Sequence, residues 1–299
     1  MALYAFDGTG NEDRPGENED SNVLFFFRAY PDPLKNTDPD QKRGSLYLEG
    51  IGARTDLKLV SKVEKGVGLG GHRRIRQAMR RLERNMDAGD TTIDIVGFSR
   101  GAALAISFAN EIAEDIPGAR INFIGVFDIV AQFGLPGKEH NAGHDLDLPD
   151  NVEHCYHAMA MDEERKLFPL TRLTGTGKNE EGRLTEVWFR GVHSDIGGGN
   201  DNQTLNYIAL DWMYEQANKH GLNIPQSEID KNLARKQTPV VVKGHKIDIG
   251  PKRKFLPNDV LHASVSFDPA QTTDKDGLNN PKIVLARSAS AGAAGSSGD

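Results

Sequence analysis

The sequence predicts an α/β fold with a mainly parallel central sheet and helices on both faces. Three observations predict it. Apolar, β-branched runs alternate with helical patterns through the first two thirds of the 299 residues, the order that builds parallel sheets. Four of those runs end in a polar or reactive residue (Asp7, Ser99, Asp128 and His193), as strands delivering groups to one carboxyl edge do. One run passes through Gly97-Phe98-Ser99-Arg100-Gly101 straight into an alanine-rich helix.

The elements follow in order. Leu3-Tyr4-Ala5-Phe6 reads as a short buried strand, stopped by the turn signal Asp7-Gly8-Thr9-Gly10-Asn11. Residues 12–45 are polar and read as a long loop with one helical segment at Val23-Leu24-Phe25-Phe26-Phe27. That aromatic island has two readings, a lid or peripheral membrane-contact patch in a moving loop, and burial in the core. Leu46 to Gly52 reads as a second strand, and residues 53–71 as glycine-rich loop. A helix is predicted from His72 to Ala88, with Ile75, Met79, Leu82 and Met86 on one stripe. Arginines 73, 74, 76, 80, 81 and 84 fill the rest and read as a solvated outer face rather than a nucleic-acid or phospholipid surface. Thr91 to Val96 is a strand, Ala102 to Ala109 a helix, and Arg120 to Phe127 a strand ending at Asp128. Residues 134–151 read as polar loop and Val152 to Met161 as a helix. Thr185 to Val192 is a strand ending at His193, followed by glycine-rich residues 194–202. A helix from Leu205 to His220 turns Leu205, Ile208, Ala209, Trp212 and Met213 inward and stops at Gly221. Later strands are read at Pro239 to Val242 and Val260 to Val265. Residues 1–287 thus form a single domain with long loop insertions, and the Ala/Gly/Ser-rich residues 288–299 a disordered tail.

Composition narrows the function classes. A net charge of −7 argues against nucleic acid as a partner. Cys155 is the only cysteine, so no internal disulfide can form, and it reads as a buried structural thiol. No basic-then-apolar leader opens the sequence and no apolar run reaches membrane-spanning length. The expectation is a chain made in the cytoplasm, which acts elsewhere only by a leaderless route.

A strand, a sharp turn with serine at its tip, and a helix make the nucleophile elbow of α/β-hydrolases. Gly97 and Gly101 have a steric reason to flank Ser99, because strand and helix cross closely there. A serine hydroxyl needs a general base, and the base needs an orienting carboxylate. In this fold the chain order is Ser, then Asp or Glu, then His, and Ser99, Asp128 and His193 satisfy it. Asp195 as the acid and His262 as the base remain alternatives. The oxyanion would be held by the amide of Arg100 and by the Gly8-Thr9 loop. The histidines at 72, 140, 144, 154, 157, 220 and 245 are given no role.

No metal and no cofactor are expected. The Gly-x-Gly-x-x-Gly within residues 66–71 follows a segment too charged for the buried strand of a dinucleotide site. The acidic stretches at 7–20 and 194–201 lack the spaced oxygens of an EF-hand and read as solvated loop, and no Cys/His zinc spacing occurs.

Several motifs in fixed order carry a family resemblance. They are Phe6-Asp7-Gly8-Thr9, Gly50-Ile51-Gly52, Gly97-Phe98-Ser99-Arg100-Gly101-Ala102, Val126-Phe127-Asp128-Ile129-Val130-Ala131, Ala158 to Glu163, and Trp188 through Gly199. Together, over residues 3–215, they resemble the bacterial type VI secretion lipase effectors (Tle-type phospholipases) and their relatives of unassigned function. The resemblance implies an α/β-hydrolase-like fold and a triad at Ser99, Asp128 and His193. It also implies phospholipase A activity on membrane glycerophospholipids and a dedicated immunity protein as partner. The reading is therefore a serine ester hydrolase acting on a lipid or ester substrate. Its rivals are a non-catalytic scaffold on the same fold and a soluble esterase or thioesterase.

Overall fold

A computed structural model describes residues 1–11, 20–35, 38, 42–51, 69–131, 145–174, 180–199, 203–235, 249–265 and 282–283. Its centre is an eight-stranded sheet. The strands are β1 (Ala2–Phe6), β2 (Leu46–Leu48), β3 (Ile93–Phe98), β4 (Phe123–Phe127), β5 (Cys155–Ala160), β6 (Leu184–Phe189), β7 (Val260–Leu261) and β8 (Lys282–Ile283). Their order is β2-β1-β3-β4-β5-β6-β7-β8, and every pairing is parallel. The chain lays β2 on one side of β1 and all later strands on the other. The crevice between the carboxyl ends of β1 and β3 is therefore the topological switch point, where open parallel sheets place their sites.

Helices cover both faces. They are α1 (Asn22–Ala29), α2 (Leu69–Asp87), α3 (Arg100–Asp115), α4 (His193–Gly197), α5 (Gln203–Lys219) and α6 (Gln226–Ala234). The strand period of two sorts side chains between two cores. Tyr4 and Phe6 join Ile75 and Leu82 of α2 and Phe108 of α3. Leu3 and Ala5 join Phe26 of α1 and Leu210 and Met213 of α5.

The structure corrects several expectations. Val152 to Met161 is not a helix, since Cys155–Ala160 within it is β5, inserted between β4 and β6. A strand buried on both faces has no alternation to display, so its Ala, Met and His content suggested a helix. The aromatic island is helix α1, capped by Ser21, whose Oγ accepts from the Leu24 amide at 3.1 Å. Val23, Leu24, Phe26 and Phe27 are buried, and Phe26 packs on Tyr214 of α5 at 5.4 Å. Core burial holds, and the lid or membrane-contact reading of this segment is overturned. Two of the six arginines of α2 are not on a solvated face. Arg81 is fully buried and donates to the carbonyls of Asp38 and Gly44, while Arg74 donates to those of Glu49 and Gly50. They satisfy carbonyls flanking the short edge strand β2. The strand expected at 260–265 stops at Leu261, where a turn closes from the Val265 amide to the His262 carbonyl.

The strand expected at 239–242, the tail at 288–299 and residues 66–68 of the 66–71 glycine run lie outside the described residues, and the run's remainder is the start of α2. Among the described residues no helix is long and apolar enough to cross a membrane.

Candidate active site

The elbow is built by sterics. Ser99 adopts φ 57° and ψ −125°, a left-handed conformation that costs a non-glycine residue on the order of 1–3 kcal/mol. The surroundings hold it there. Its amide donates to the Phe127 carbonyl at 3.1 Å, and its carbonyl accepts from the amides of Ala103 and Val130, each at 3.3 Å. A Cβ on Gly97 would lie 2.6 Å from Ala102 Cα, and one on Gly101 would lie 2.3 Å from the Phe6 carbonyl oxygen. No side chain fits at either place while α3 starts against β1 and β3.

Asp128 leaves β4 in a second strained turn, at φ 42°. Its amide donates to the Ala158 carbonyl of β5 at 2.8 Å. His193 opens α4 just beyond β6, with its amide donating to Glu163 Oε2 at 3.1 Å. The structure brings these three side chains into one chain of hydrogen bonds. His193 Nδ1–H donates to Asp128 Oδ2 at 2.6 Å, and the Ser99 hydroxyl donates to His193 Nε2 at 2.8 Å. The tautomer follows from the partners, since an ionised carboxylate can only accept. The imidazole is packed between Phe98 and Phe168, with ring centroids 4.6 and 4.9 Å away.

Burial sets the electrostatics. Desolvation lowers the His193 pKa below its ordinary value, although the Asp128 carboxylate partly opposes it. The ring is therefore neutral at pH 7, with its Nε2 lone pair toward the serine. Burial pushes the Asp128 carboxyl up, but Arg253 and His193 outweigh it and hold the group well below the usual carboxylate range. Glu163 is lowered in the same way, burial being outweighed by its bonds from Arg165 and from the His193 amide.

The other expected site residues sort as follows. The Arg100 amide is the first of helix α3 and has no acceptor within its own helix. The Gly8 amide is committed elsewhere, donating to Asp7 Oδ1 at 2.6 Å. Of the Gly8-Thr9 pair, Thr9 is the exposed member. Asp7 is the organiser of that loop. It accepts from the hydroxyls of Ser21 and Tyr47, each at 2.5 Å, and burial raises its pKa. Asp195 points into its own helix start, accepting from the Val192 amide at 2.9 Å. His262 stacks on Phe189 at 4.5 Å and pairs through Nδ1 with Ser264 at 2.8 Å. Neither belongs to the Ser99 hydrogen-bond chain. The acidic stretch after His193 serves packing, with the Gly199 amide donating to the Asp20 carbonyl at 3.3 Å. Among the described residues no group of three or more His, Cys, Asp or Glu side chains could hold a metal ion.

Sequence reasoning missed two features. Arg253 donates to both carboxylate oxygens of Asp128, at 2.6 and 3.0 Å. His157 is fully buried in β5, pairs with Glu186 at 2.9 Å, and accepts the Ile129 amide on Nε2 at 3.2 Å. A buried carboxylate at a strand end signals a need for cationic partners, but not which residue supplies them.

A parallel sheet of this strand order, with a serine on a strained strand-to-helix turn at the switch point, is an α/β-hydrolase-like fold. The family is narrower. A model of the catalytic domain of Tle1-like phospholipase effectors of the type VI secretion system matches residues 3–115 and 110–216, and the chain belongs to that family. No curated protein matches it. Among solved structures, an uncharacterized protein from Pseudomonas aeruginosa aligns with a TM-score of 0.56 and 22% identity, over 80% of this chain and 51% of its own. The chain thus spans about half the length of that protein, and the likeness is one of fold. A Tle1 effector bound to the VgrG spike of a type 6 secretion system aligns with a TM-score of 0.46 and 23% identity, over 68% of this chain and 51% of its own. ClbQ from the colibactin NRPS/PKS pathway aligns at 0.41 and 12%, over 74% and 99%.

Proposed function

We propose that this protein is a serine hydrolase of carboxylic esters, and that its substrates are the acyl esters of phospholipids. The observation that carries the reading is the unbroken hydrogen-bond chain Ser99–His193–Asp128 on the elbow. His193 Nε2 takes the hydroxyl proton as Ser99 Oγ attacks the ester carbonyl carbon. Asp128 holds the imidazole in the required tautomer and stabilises its cation. The Arg100 amide, aided by Thr9, meets the oxygen on which negative charge develops. Collapse of the tetrahedral species expels the alcohol, which takes the proton from His193 and leaves an acyl-enzyme. Water, activated by the same nitrogen, then releases the acid and restores Ser99.

Family membership supports the lipid substrate and the role of an antibacterial effector, with a phospholipase A cleavage pattern as the finer form of the proposal. It also supports delivery by a type VI secretion system and a cognate immunity protein in the producing cell. The test has two arms. A fluorophosphonate probe should label the wild type and not Ser99→Ala, and Ser99→Ala should lose at least about 10³-fold in ester turnover. Phosphatidylglycerol and phosphatidylethanolamine liposomes should release fatty acid. Equal turnover by Ser99→Ala rejects the serine mechanism, whereas good turnover of soluble esters with inert liposomes rejects only the lipid assignment.

A further inference from the structure

Asp128 carries more hydrogen bonds than orienting one imidazole requires. Oδ1 accepts from the Ala160 amide at 2.7 Å and from Arg253 Nη1 at 2.6 Å. Oδ2 accepts from His193 Nδ1 at 2.6 Å and from Arg253 Nη2 at 3.0 Å. The guanidinium has a second use. Nη1 also donates to the Ala160 carbonyl at 2.7 Å, and Nη2 to the Phe168 carbonyl at 3.0 Å. All four terminal N–H groups are therefore engaged, two on the acid and two on backbone.

Each backbone contact leads back to the site. Ala160 ends β5, and Phe168 is the residue whose ring lies against His193. Phe168 is backed in turn by Arg165, whose guanidinium sits 3.6 Å above the Phe168 ring and bonds Glu163, the acceptor for the His193 amide. The segment bearing Arg253 is fastened to the same loop by the Gly250 amide, which donates to the Glu164 carbonyl at 2.6 Å. Arg253 lies beyond residue 216, where the family match ends.

We infer that Arg253 is a positioning residue for the proposed hydrolase, supplied by a late segment of the chain, which locks the Asp128 carboxylate and the Phe168 wall and thereby sets the basicity of His193. The inference rests on the serine-hydrolase reading for its catalytic meaning. Its chemistry is direct. Arg253 competes with His193 for Oδ2 and brings a positive charge near a ring that must become positive during reaction. Both effects hold the imidazole pKa down, in the same direction as burial, while Asp128 and Glu163 push it up. A lysine could keep the charge but not the two-pronged geometry.

The experiment is an NMR titration of the His193 imidazole in the full chain, with the pH–rate profile of ester hydrolysis run in parallel. Arg253→Gln should raise the His193 midpoint and move the acid limb of kcat/KM upward, each by on the order of one pH unit, the effect of removing a nearby charge in a partly screened interior. Arg253→Lys should fall between wild type and Arg253→Gln in both readouts, and it serves alone if Arg253→Gln does not fold. A folded variant whose midpoint and limb match wild type overturns the inference, even if its rate has fallen. The titration is independent of turnover. If wild type does not react with a fluorophosphonate, the hydrolase reading fails, while the titration still decides whether Arg253 controls His193.

Discussion

Two sets, each a histidine, a buried carboxylate and an arginine, lie around the central sheet, and they do different things. One is His193, Asp128 and Arg253. The other is His157, Glu186 and Arg172. In each, a histidine Nδ1 meets a buried carboxylate that an arginine also holds, at 2.7 Å in the case of Arg172 and Glu186. Both carboxyls lie well below the usual range, burial being outweighed by the histidine and arginine beside them. The sets diverge at the far ring nitrogen. On His157, Nε2 is filled by a backbone amide, that of Ile129. On His193 it meets a hydroxyl on a strained turn. An amide proton does not leave at neutral pH, so the first ring is a fixed strut, whereas the second can take a proton and return it. Ile129 follows Asp128 directly, so the strut braces the turn that carries the proposed triad acid. Its outer end is anchored too, since Arg172 passes to Asp259, which accepts from the Trp188 indole at 2.8 Å.

Neutralising one carboxylate in each set gives the largest expected contrast. Asp128→Asn should lower ester turnover by about 10⁴-fold, because the imidazole is then steered to the wrong tautomer. Glu186→Gln should leave turnover within about tenfold, although both variants should lower Tm, because each breaks a buried ion pair. Acylation rates and thermal melts on both proteins check the pair. An inactive but fully stable Glu186→Gln protein would erase the distinction between site and strut.

The histidines should show the reverse contrast. His157→Leu leaves Glu186 and the Ile129 amide without their partner and should cost about 3–5 kcal/mol in urea denaturation. His193→Ala removes a ring that burial already disfavours in its charged form. It should abolish turnover while costing less stability than His157→Leu. If the two variants unfold at the same urea concentration, the strut assignment of His157 is wrong.

What the sequence disclosed follows from where physics leaves a local mark. The elbow was legible because Gly97 and Gly101 are imposed by contacts at 2.6 and 2.3 Å, and a strand and a helix flank them. Asp128 and His193 were legible as polar residues ending apolar strands, and the structure brings both within hydrogen-bond reach of the Ser99 chain. Arg253 left no such mark. It stands 125 residues from Asp128, in a segment without periodicity, and only the folded path places it there. β5 was misread because burial on both faces erases alternation. The burial of α1 could not be read from its own residues, since an apolar helix face is the same whether a lid or a core receives it.

Acid should separate loss of turnover from loss of the fold. The reacting base must be neutral, and His193 is lowered from the ordinary imidazole value of about 6.5. Turnover should thus be complete at pH 7 and fall only at acidities below that ordinary value. The folded state responds further down. Asp128 and Glu186 have depressed folded pKa values, so their contribution to stability is full above the unfolded carboxylate range near pH 4 and is lost progressively as pH falls from there through their lower folded values. His193 adds a loss of the same sign, because its unfolded form takes up a proton at higher pH than the folded one. A pH range should therefore exist in which activity is reduced and circular dichroism is unchanged. Returning the sample to pH 7 should restore full turnover at once. Activity and ellipticity falling together, or activity that does not return, would mean that protonation first breaks the struts rather than the reacting histidine.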